Sequence, residues 1–302
     1  MKKISSLTGI ERAFLGFQHV FDDAEVVVIP VPYDATSSYG VGSRFAPNAI
    51  IDASTQLELY DIESKRNICE EITIHTLDEL IADKGSPDKT IENVRNAVRT
   101  VVDAGKKPLV FGGEHSISAG AVAGLKNPKS ISVLQIDAHS DLRNSYKGTK
   151  YNHACAMARI REIAGNTVQV GIRSMCNEEA EYIEEKGIEK TIFYARDLIR
   201  NRDGNGLDKK DIERIISQLN NDVYVTVDVD GFDPSVFPGT GTPEPGGLEW
   251  YDVLSLMETV GKKRKVVGFD IVEVLPTPPS NISEFAAAKL VYKMIGYFWM
   301  KK

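Results

Sequence analysis

The sequence predicts an α/β protein, a three-layer α/β/α sandwich around a mainly parallel central sheet. Three observations support this class. Short β-branched runs alternate with amphipathic helical patterns along the chain. Several of these runs are almost continuously apolar, as strands covered by helices on both faces are. No repeat or Pro/Gly/Ser-rich linker interrupts the alternation, so we expect residues 1–302 to form a single domain.

Seven runs are predicted to be strands because they are apolar, rich in β-branched residues and bounded by polar residues. They are 24–31, 107–113, 131–137, 167–173, 191–195, 222–230 and 264–274. Amphipathic periodicity predicts six helices. They are 88–104, 116–125, 177–187, 208–220, 249–261 and 282–299. A further helix is predicted after the first strand, where Pro47 suits the first helical turn.

Composition argues against several classes of protein. The net charge of −7 and the pI near 5.4 do not fit a nucleic-acid-binding protein, which usually carries a basic patch. No run approaches about 18 consecutive apolar residues, so no membrane span is expected. The N-terminal sequence lacks the apolar segment of a secretory signal. Three cysteines without a CxxC pair are typical of reduced thiols, and we expect a cytoplasmic protein.

Acidic and imidazole side chains follow four of the predicted strands. In chain order they are Glu114 and His115, then Asp137, His139 and Asp141, then Asp228 and Asp230, and finally Glu273. A single Asp after a strand usually caps the next helix. However, two of the five histidines of the chain also stand at these strand ends. Ligands of open parallel sheets bind outside the carboxyl ends of the strands, so we expect these side chains to meet at one edge.

The charges of this cluster predict its occupant. Its four aspartates, Asp137, Asp141, Asp228 and Asp230, repel one another unless a cation neutralises them. Two divalent ions would balance the four charges, and aspartates from two strands can bridge such ions. Oxygen ligands with two imidazole nitrogens suit Mn²⁺ better than Zn²⁺, while Fe, Co and Ni stay open. We therefore expect two Mn²⁺ ions per subunit.

Four ordered motifs resemble the ureohydrolase family, which includes arginases and agmatinases. They are GGEHS at 112–116, DAHSDLR at 137–143, VTVDVDGFDPSVFPGTGTPEPGGL at 225–248 and GFDIVEV at 268–274. The similarity extends over roughly residues 25–295 and is closest to the agmatinases. It implies an arginase-like fold and hydrolysis of a guanidino group to urea and a primary amine. It also implies a homo-oligomer, a trimer or a hexamer.

The resemblance implies roles for the individual site residues. One manganese would be held by His115, Asp137, Asp141 and Asp228. The other would be held by Asp137, His139, Asp228 and Asp230. His153 stands where the family has a proton-shuttling histidine, and Glu273 stands where it has the acid that pairs with the guanidinium. Asp141 is counted both as a ligand and, with His153 and Glu273, as a catalytic residue.

Agmatine is the expected substrate, with putrescine and urea as products and a role in polyamine biosynthesis. The motif GIRS at 171–174 and the glycine-rich loop resemble agmatinases, whereas Leu142-Arg143 replaces the Ile-Asn that arginases usually have. An Arg143 that points into the pocket would favour a carboxylate tail, as in 4-guanidinobutyrate. Its alternative role is structural, on a neighbouring acid or on backbone carbonyls. Aminopropylagmatine and arginine are the remaining alternative substrates.

Two other classes of function stay open at this point. A dimetal phosphohydrolase would need lysine or arginine donors near the metal ligands, and only Arg143 is near them in sequence. A non-catalytic metal- or polyamine-binding relative would not need His153 and Glu273, and both are present. The sequence therefore favours a guanidino hydrolase.

Overall fold

The structure, a computed structural model, describes residues 12–202 and 206–300. Within them, eight parallel strands form one sheet. A separate antiparallel hairpin is formed by β2 and β3. In chain order the strands are β1 Val26–Pro30, β2 Tyr60–Asp61, β3 Arg66–Asn67, β4 Ile74–Thr76, β5 Lys107–Phe111, β6 Ser132–Ile136, β7 Asn166–Ile172, β8 Ile192–Tyr194, β9 Asp222–Asp228 and β10 Lys265–Val272. The sheet order is β4-β1-β5-β10-β9-β6-β7-β8.

Helices cover both faces of this sheet. They are α1 Ala46–Ser54, α2 Pro87–Asp103, α3 Ile117–Gly124, α4 Ala156–Ile163, α5 Asn177–Lys186, α6 Ala195–Arg200, α7 Lys209–Ser217, α8 Trp250–Lys263 and α9 Ile282–Trp299. One apolar core lies between the sheet and the layer that contains α1 and α6 to α9. A second core lies between the sheet and the layer of α2 to α5. The three-layer sandwich with a parallel sheet is therefore confirmed.

The central strands are apolar on both sides because each side faces a helical layer. In β1, Val26 and Val28 belong to the first core, while Val27 and Ile29 belong to the second. The helices bury one stripe each, as amphipathic helices do. Along α2 the buried stripe includes Val94, Val98 and Val101. Packing on both faces thus explains why the strand runs lack polar alternation.

The predicted elements differ from the observed ones mainly at their ends. Each of the seven predicted strands and each predicted helix is present, with shifted boundaries except for the last helix, 282–299, whose bounds agree. The first helix starts one residue before Pro47, at Ala46. Three elements of the sandwich were not predicted, namely β4, α4 and α6. They have three, eight and six residues, which is too short for a clear periodic pattern.

Within 12–202 and 206–300, no helix combines the length and the apolar composition that a membrane crossing requires.

Candidate metal centre

The strand order brings the predicted ligands to one edge of the sheet. Strands β5, β10, β9 and β6 are neighbours at its centre, and all run in the same direction. The residues that follow them therefore emerge side by side. His115 follows β5, Glu273 follows β10, Asp230 follows β9 and Asp137 follows β6. The structure thus places together side chains that are up to about 160 residues apart in sequence.

His115 lies at the centre of three carboxylates. Its Nδ1 is 3.0 Å from Asp137 Oδ2, 3.1 Å from Asp141 Oδ2 and 3.3 Å from Asp228 Oδ2. All four residues are buried. The Nδ1 atom nevertheless has no hydrogen-bond partner. A buried nitrogen without a partner, surrounded by carboxylate oxygens, is the arrangement that a metal ion would complete.

His139 forms a second group with two aspartates. Its Nδ1 is 3.0 Å from Asp230 Oδ2 and 3.7 Å from Asp137 Oδ1. The ligand atoms of His139, Asp137 and Asp230 lie within 4.8 Å of one another, and so do those of His115, Asp137 and Asp228. Asp137 is common to both groups. The geometry therefore fits two adjacent cation positions that share one carboxylate.

Backbone amides orient the carboxylates of the cluster. Asp137 Oδ1 accepts a hydrogen bond from His139 N at 2.6 Å, and Asp228 Oδ1 accepts one from Asp230 N at 2.9 Å. Asp230 Oδ1 accepts one from Ala138 N at 3.1 Å. Each of these contacts fixes one oxygen, so the side chain cannot rotate freely and the other oxygen is held near a histidine.

Two site residues have a strained backbone. Asp141 has a φ of 53° and Glu273 a φ of 61°, both in the left-handed region that non-glycine residues rarely adopt. Such conformations persist only where the surroundings enforce them, and they are frequent at functional sites. Both side chains lie at the edge of the sheet where the cluster is found.

The cluster has more negative charge than its protein surroundings neutralise. Burial, together with the nearby Asp137, raises the pKa of Asp141 to about 7. Burial and the negative charge of Asp230 raise the pKa of Asp228 well above its usual range. Hydrogen bonds to Asp137 and Asp230 raise the pKa of His139 to about 12 although burial opposes this. A bound divalent cation would replace the retained protons, so these residues fit a metal ion.

The cluster opens into a pocket of about 240 Å³. Its walls include five of the six candidate ligands, all except Asp137, and also His153, Glu273 and Arg143. The structure thus brings all the sequence-predicted catalytic residues to one cavity. Loop residues from Ser37 to Gly40 form part of its wall.

His153 is held by the loop that follows β1. Its backbone N–H donates to Thr36 Oγ1 at 3.2 Å, and its Nε2 lies 3.3 Å from Ser38 Oγ. Its Nδ1 is buried without a hydrogen-bond partner. Burial lowers the pKa of His153 to about 4, so the imidazole is neutral at pH 7.

Glu273 is buried beside a second glutamate. Its Oε1 accepts a hydrogen bond from His115 N at 2.9 Å. Burial and the charge of Glu114 raise the pKa of Glu273 well above its usual range. Glu114 accepts hydrogen bonds from Thr36 N at 2.6 Å, from the Thr36 hydroxyl and from Ser116 Oγ at 2.6 Å. Glu114 thereby ties the loop after β1 to the loop after β5.

Arg143 lines the pocket and also contacts an acid. Its Nε is 4.0 Å from Glu179 Oε2, and its guanidinium carbon is 4.8 Å from the centre of the Tyr146 ring. Glu179 is itself fixed by hydrogen bonds from Leu142 N and Ser140 Oγ. Both interpretations that the sequence left open for Arg143 therefore have structural support.

Polar residues inside the strands support the cluster, and sequence analysis missed them. Gln135 Nε2 donates to Asp137 Oδ2 at 2.6 Å, and Gln169 donates to Gln135 Oε1. Thr226 Oγ1 lies 2.9 Å from His115 Nε2. Their spacing was the available signal in the sequence. Gln135 and Thr226 each lie two residues before an aspartate of the cluster, and Gln169 is paired with Gln135 on the neighbouring strand.

The fold and the site define an α/β protein with a candidate metal centre at the carboxyl edge of a parallel sheet. The sequence model of the Arginase family matches residues 24–296. The chain belongs to this family, which confirms the resemblance deduced from the motifs.

Individual relatives cover nearly the same length. An N(1)-aminopropylagmatine ureohydrolase of Synechocystis is 40% identical over 92% of this chain and 90% of its own length. An agmatinase of Pyrococcus horikoshii is 37% identical over 91% of this chain and 92% of its own. The crystal structure of an agmatine ureohydrolase of Thermoplasma volcanium matches with a TM-score of 0.86 and 34% identity. That match covers 97% of this chain and 96% of the other.

Proposed function

We propose that the protein is a binuclear manganese ureohydrolase that converts agmatine into putrescine and urea. The family match and relatives named as agmatinase and aminopropylagmatine ureohydrolase support hydrolysis of a guanidino group. The observation that carries the proposal is the convergence of the histidine–aspartate cluster, His153 and Glu273 on one pocket. That combination provides ligands for cations, a proton carrier and an acceptor for a planar cation.

The donor set supports two Mn²⁺ ions. Six side chains would hold them in the arrangement expected from the sequence. One ion would take His115, Asp137, Asp141 and Asp228, and the other Asp137, His139, Asp228 and Asp230. When bound, such a metal pair lowers the pKa of water and stabilises negative charge that develops during hydrolysis.

Glu273 would orient the substrate guanidinium. A carboxylate and a guanidinium form short, charge-assisted hydrogen bonds that can be bidentate. The carboxylate is buried and restrained by the backbone N–H of His115, so it would hold the substrate in a defined position. The positive charge of the substrate would also lower the pKa of Glu273 and keep it ionised.

His153 would carry a proton between the attacking water and the leaving amine. Since burial lowers its pKa to about 4, it is neutral before the reaction and can accept a proton. The protonated imidazole is then strongly acidic and can give the proton to the departing nitrogen. The contact of Nε2 with Ser38 Oγ would hold the ring towards the pocket.

Aminopropylagmatine is a second candidate substrate. The relative at 40% identity carries that name. Part of the positive charge of Arg143 is compensated by Glu179, so an amine tail would meet less repulsion there. Tyr39 also lines the pocket and is 82% exposed. An exposed aromatic ring can attract the additional ammonium groups of the longer polyamine.

The proposal also includes the domain organisation, the oligomeric state, the cellular location and the absence of a nucleic-acid partner. The chain would form one domain of residues 1–302, supported by the sheet that extends from β1 to β10. On the resemblance of the motifs alone, the protein would be a homo-oligomer, a trimer or a hexamer, that acts in polyamine biosynthesis in the cytoplasm. The net charge of −7 supports the absence of a nucleic-acid partner.

Urea release from a panel of guanidino compounds tests the proposed function. Protein loaded with Mn²⁺ should release urea from agmatine or aminopropylagmatine faster than from arginine or 4-guanidinobutyrate. Parallel samples with Zn²⁺, Co²⁺, Ni²⁺ or Fe²⁺ identify the preferred metal. Hydrolysis of phosphate esters without urea release from any guanidine would contradict the proposal.

A pair of histidine variants tests the proton carrier. His153→Ala should lower kcat by about a hundredfold to ten-thousandfold, because general acid–base catalysis contributes that much. The control His75→Ala removes a histidine of the edge strand β4 that contacts the His19 carbonyl oxygen. It should leave kcat unchanged. Equal activity of the two variants, with equal metal content, would exclude His153 from proton transfer.

A further inference from the structure

We propose that Asp270 and Thr226 are positioning residues that hold His115 in the tautomer that can bind a metal ion. The inference rests on the metal centre proposed above. It concerns residues that lie inside the sheet, beneath the ligands, and that cannot contact the substrate. Their effect would be on metal affinity.

A buried chain of hydrogen bonds connects these residues. His115 Nε2 lies 2.9 Å from Thr226 Oγ1, and Thr226 Oγ1 donates to Asp270 Oδ1 at 2.6 Å. The other oxygen of Asp270, Oδ2, accepts a hydrogen bond from the Tyr224 hydroxyl at 2.8 Å. Each of the four side chains is at most 1% exposed. Water therefore cannot replace any of these contacts.

The direction of the hydrogen bonds determines the position of the histidine proton. A carboxylate only accepts hydrogen bonds, so the single hydroxyl proton of Thr226 is committed to Asp270. The alternative acceptor, Ser118 Oγ, is more distant at 3.3 Å. Thr226 must then accept a hydrogen bond from His115, which places the proton on Nε2. The lone pair of Nδ1 is consequently directed to the three carboxylates, where the cation would bind.

The fold brings the chain together through strand register. Residues 224, 226 and 228 alternate along β9 and therefore share one face of the sheet. Thr226 is paired directly with Asp270 of the neighbouring β10. The same face thus carries the tyrosine, the threonine and the ligand Asp228 in succession. Two central strands are sufficient to build the support for His115.

Packing alone does not explain these polar residues. A carboxylate buried in the central layer of a sheet is costly, and apolar residues of similar size are often more stabilising. The other positions of β10 on both faces are mostly apolar. Partners that orient a metal-bound histidine typically change metal affinity when they are removed. The polar chain is therefore consistent with a role in metal binding.

The test measures Mn²⁺ binding to the full chain by equilibrium dialysis, together with thermal unfolding of the metal-free protein. Thr226→Val keeps the shape and removes the hydroxyl, and Asp270→Asn removes the charged acceptor. Each should weaken Mn²⁺ binding at one of two positions by about 10- to 100-fold. Thr226→Ser retains the hydroxyl and should bind like the unaltered protein.

Thr167→Val is the matched control, since it alters a buried threonine of β7 whose hydroxyl contacts Arg161. It should not change Mn²⁺ affinity. Unchanged affinity in both Thr226→Val and Asp270→Asn would overturn the inference, as would equal weakening in the control. If Thr226→Val does not fold, the Mn²⁺ affinities of Asp270→Asn and Thr226→Ser test the inference. Weakened binding in the first and unchanged binding in the second would support it. An unaltered protein that binds no Mn²⁺ would instead contradict the metal centre itself.

Discussion

Arg143 places a cationic side chain in the wall of the pocket. It lines the pocket, and its charge is only partly compensated by Glu179 at 4.0 Å. Its guanidinium also lies over the Tyr146 ring, which restricts its movement. A substrate tail that carries a carboxylate would therefore meet an oriented cation.

Arg143→Ala should separate the substrates by the charge of their tails. We expect kcat/KM for 4-guanidinobutyrate to fall about tenfold or more, equivalent to about 1.4 kcal/mol. The value for agmatine should change by less than about threefold, because its ammonium gains no attraction from Arg143. Steady-state urea release measures both.

The control for this prediction is Lys147→Ala. Lys147 is a second cation near the Tyr146 ring, and its Nζ lies 3.4 Å from the Ser38 carbonyl oxygen. It is not among the residues that line the pocket, so both substrates should be affected equally. Equal losses for both substrates in Arg143→Ala would assign Arg143 a structural role.

The convergence of the candidate ligands could be predicted from the sequence, whereas the residues that support them could not. His115, Asp137 and Asp228 were predictable because each follows an apolar strand, and parallel strands end at one edge. Thr226 and Asp270 lie within strands, where a polar residue does not reveal its contacts. Only the register of β9 against β10 shows that they touch.

The loop after β1 depends on Gly113, which lies in the loop after β5. A Cβ atom on Gly113 would lie 2.0 Å from the Tyr33 carbonyl oxygen, so only glycine permits this approach. The close packing lets the Glu114 carboxylate reach Thr36, which in turn contacts His153. The motif GGEHS thus supplies the candidate ligand His115 and also positions the opposite wall of the pocket.

Helix α9 is anchored to the β2–β3 hairpin by a buried ion cluster. Lys293 is 5% exposed, and its Nζ lies 2.6 Å from Asp61 Oδ2 and also contacts Glu63. Asp61 is 2% exposed. Removal of the lysine would leave the aspartate buried without its cation.

Lys293→Met should therefore lower the free energy of unfolding by about 3–5 kcal/mol, the usual cost of breaking a buried ion pair. The control Lys289→Met alters the preceding turn of α9, where Nζ contacts the Glu58 carbonyl oxygen at 3.4 Å. It should cost less than about 1 kcal/mol. Urea denaturation measures both values, and a loss below about 1 kcal/mol for Lys293→Met would show that the cluster is not stabilising.

The charge at the carboxyl edge makes the stability of the metal-free protein depend on pH. Burial raises the pKa of Asp141 and of Glu114 to about 7, and acidic neighbours raise that of His139 to about 12 against the effect of burial. A group with a raised pKa binds more protons in the folded state, so stability falls as pH rises through that range. For the carboxyl groups the range runs from about pH 4 to about pH 7.

Mn²⁺ should consequently stabilise the protein more at about pH 8 than at about pH 5, because ions replace protons in the cluster. The measurement is the difference in Tm between the Mn²⁺-loaded protein and the protein with a chelator at each pH. This difference removes titration effects elsewhere in the molecule. A difference that is constant or smaller at the higher pH would contradict the prediction.

At the scale of the molecule, the sandwich was predictable but the order of its strands was not. Alternating strand and helix patterns indicate a parallel sheet, since parallel strands require crossover connections. Strand β10 lies between β5 and β9 and pairs with both. Its partner β5 is more than 150 residues away in the sequence. Such long-range pairing depends on packing across the whole sheet and leaves no local pattern.

The direct pairing of β9 with β10 also limits how the family sequence can vary in length. Side chains alternate between the two faces of a strand. One residue inserted or deleted in β9 before Thr226 would therefore make Thr226 and Asp228 face the opposite helical layer. The candidate ligand Asp228 and the hydrogen bond from Thr226 to Asp270 would then be lost by one event. Length changes should therefore accumulate in surface loops, while this stretch stays constant in length among active homologues.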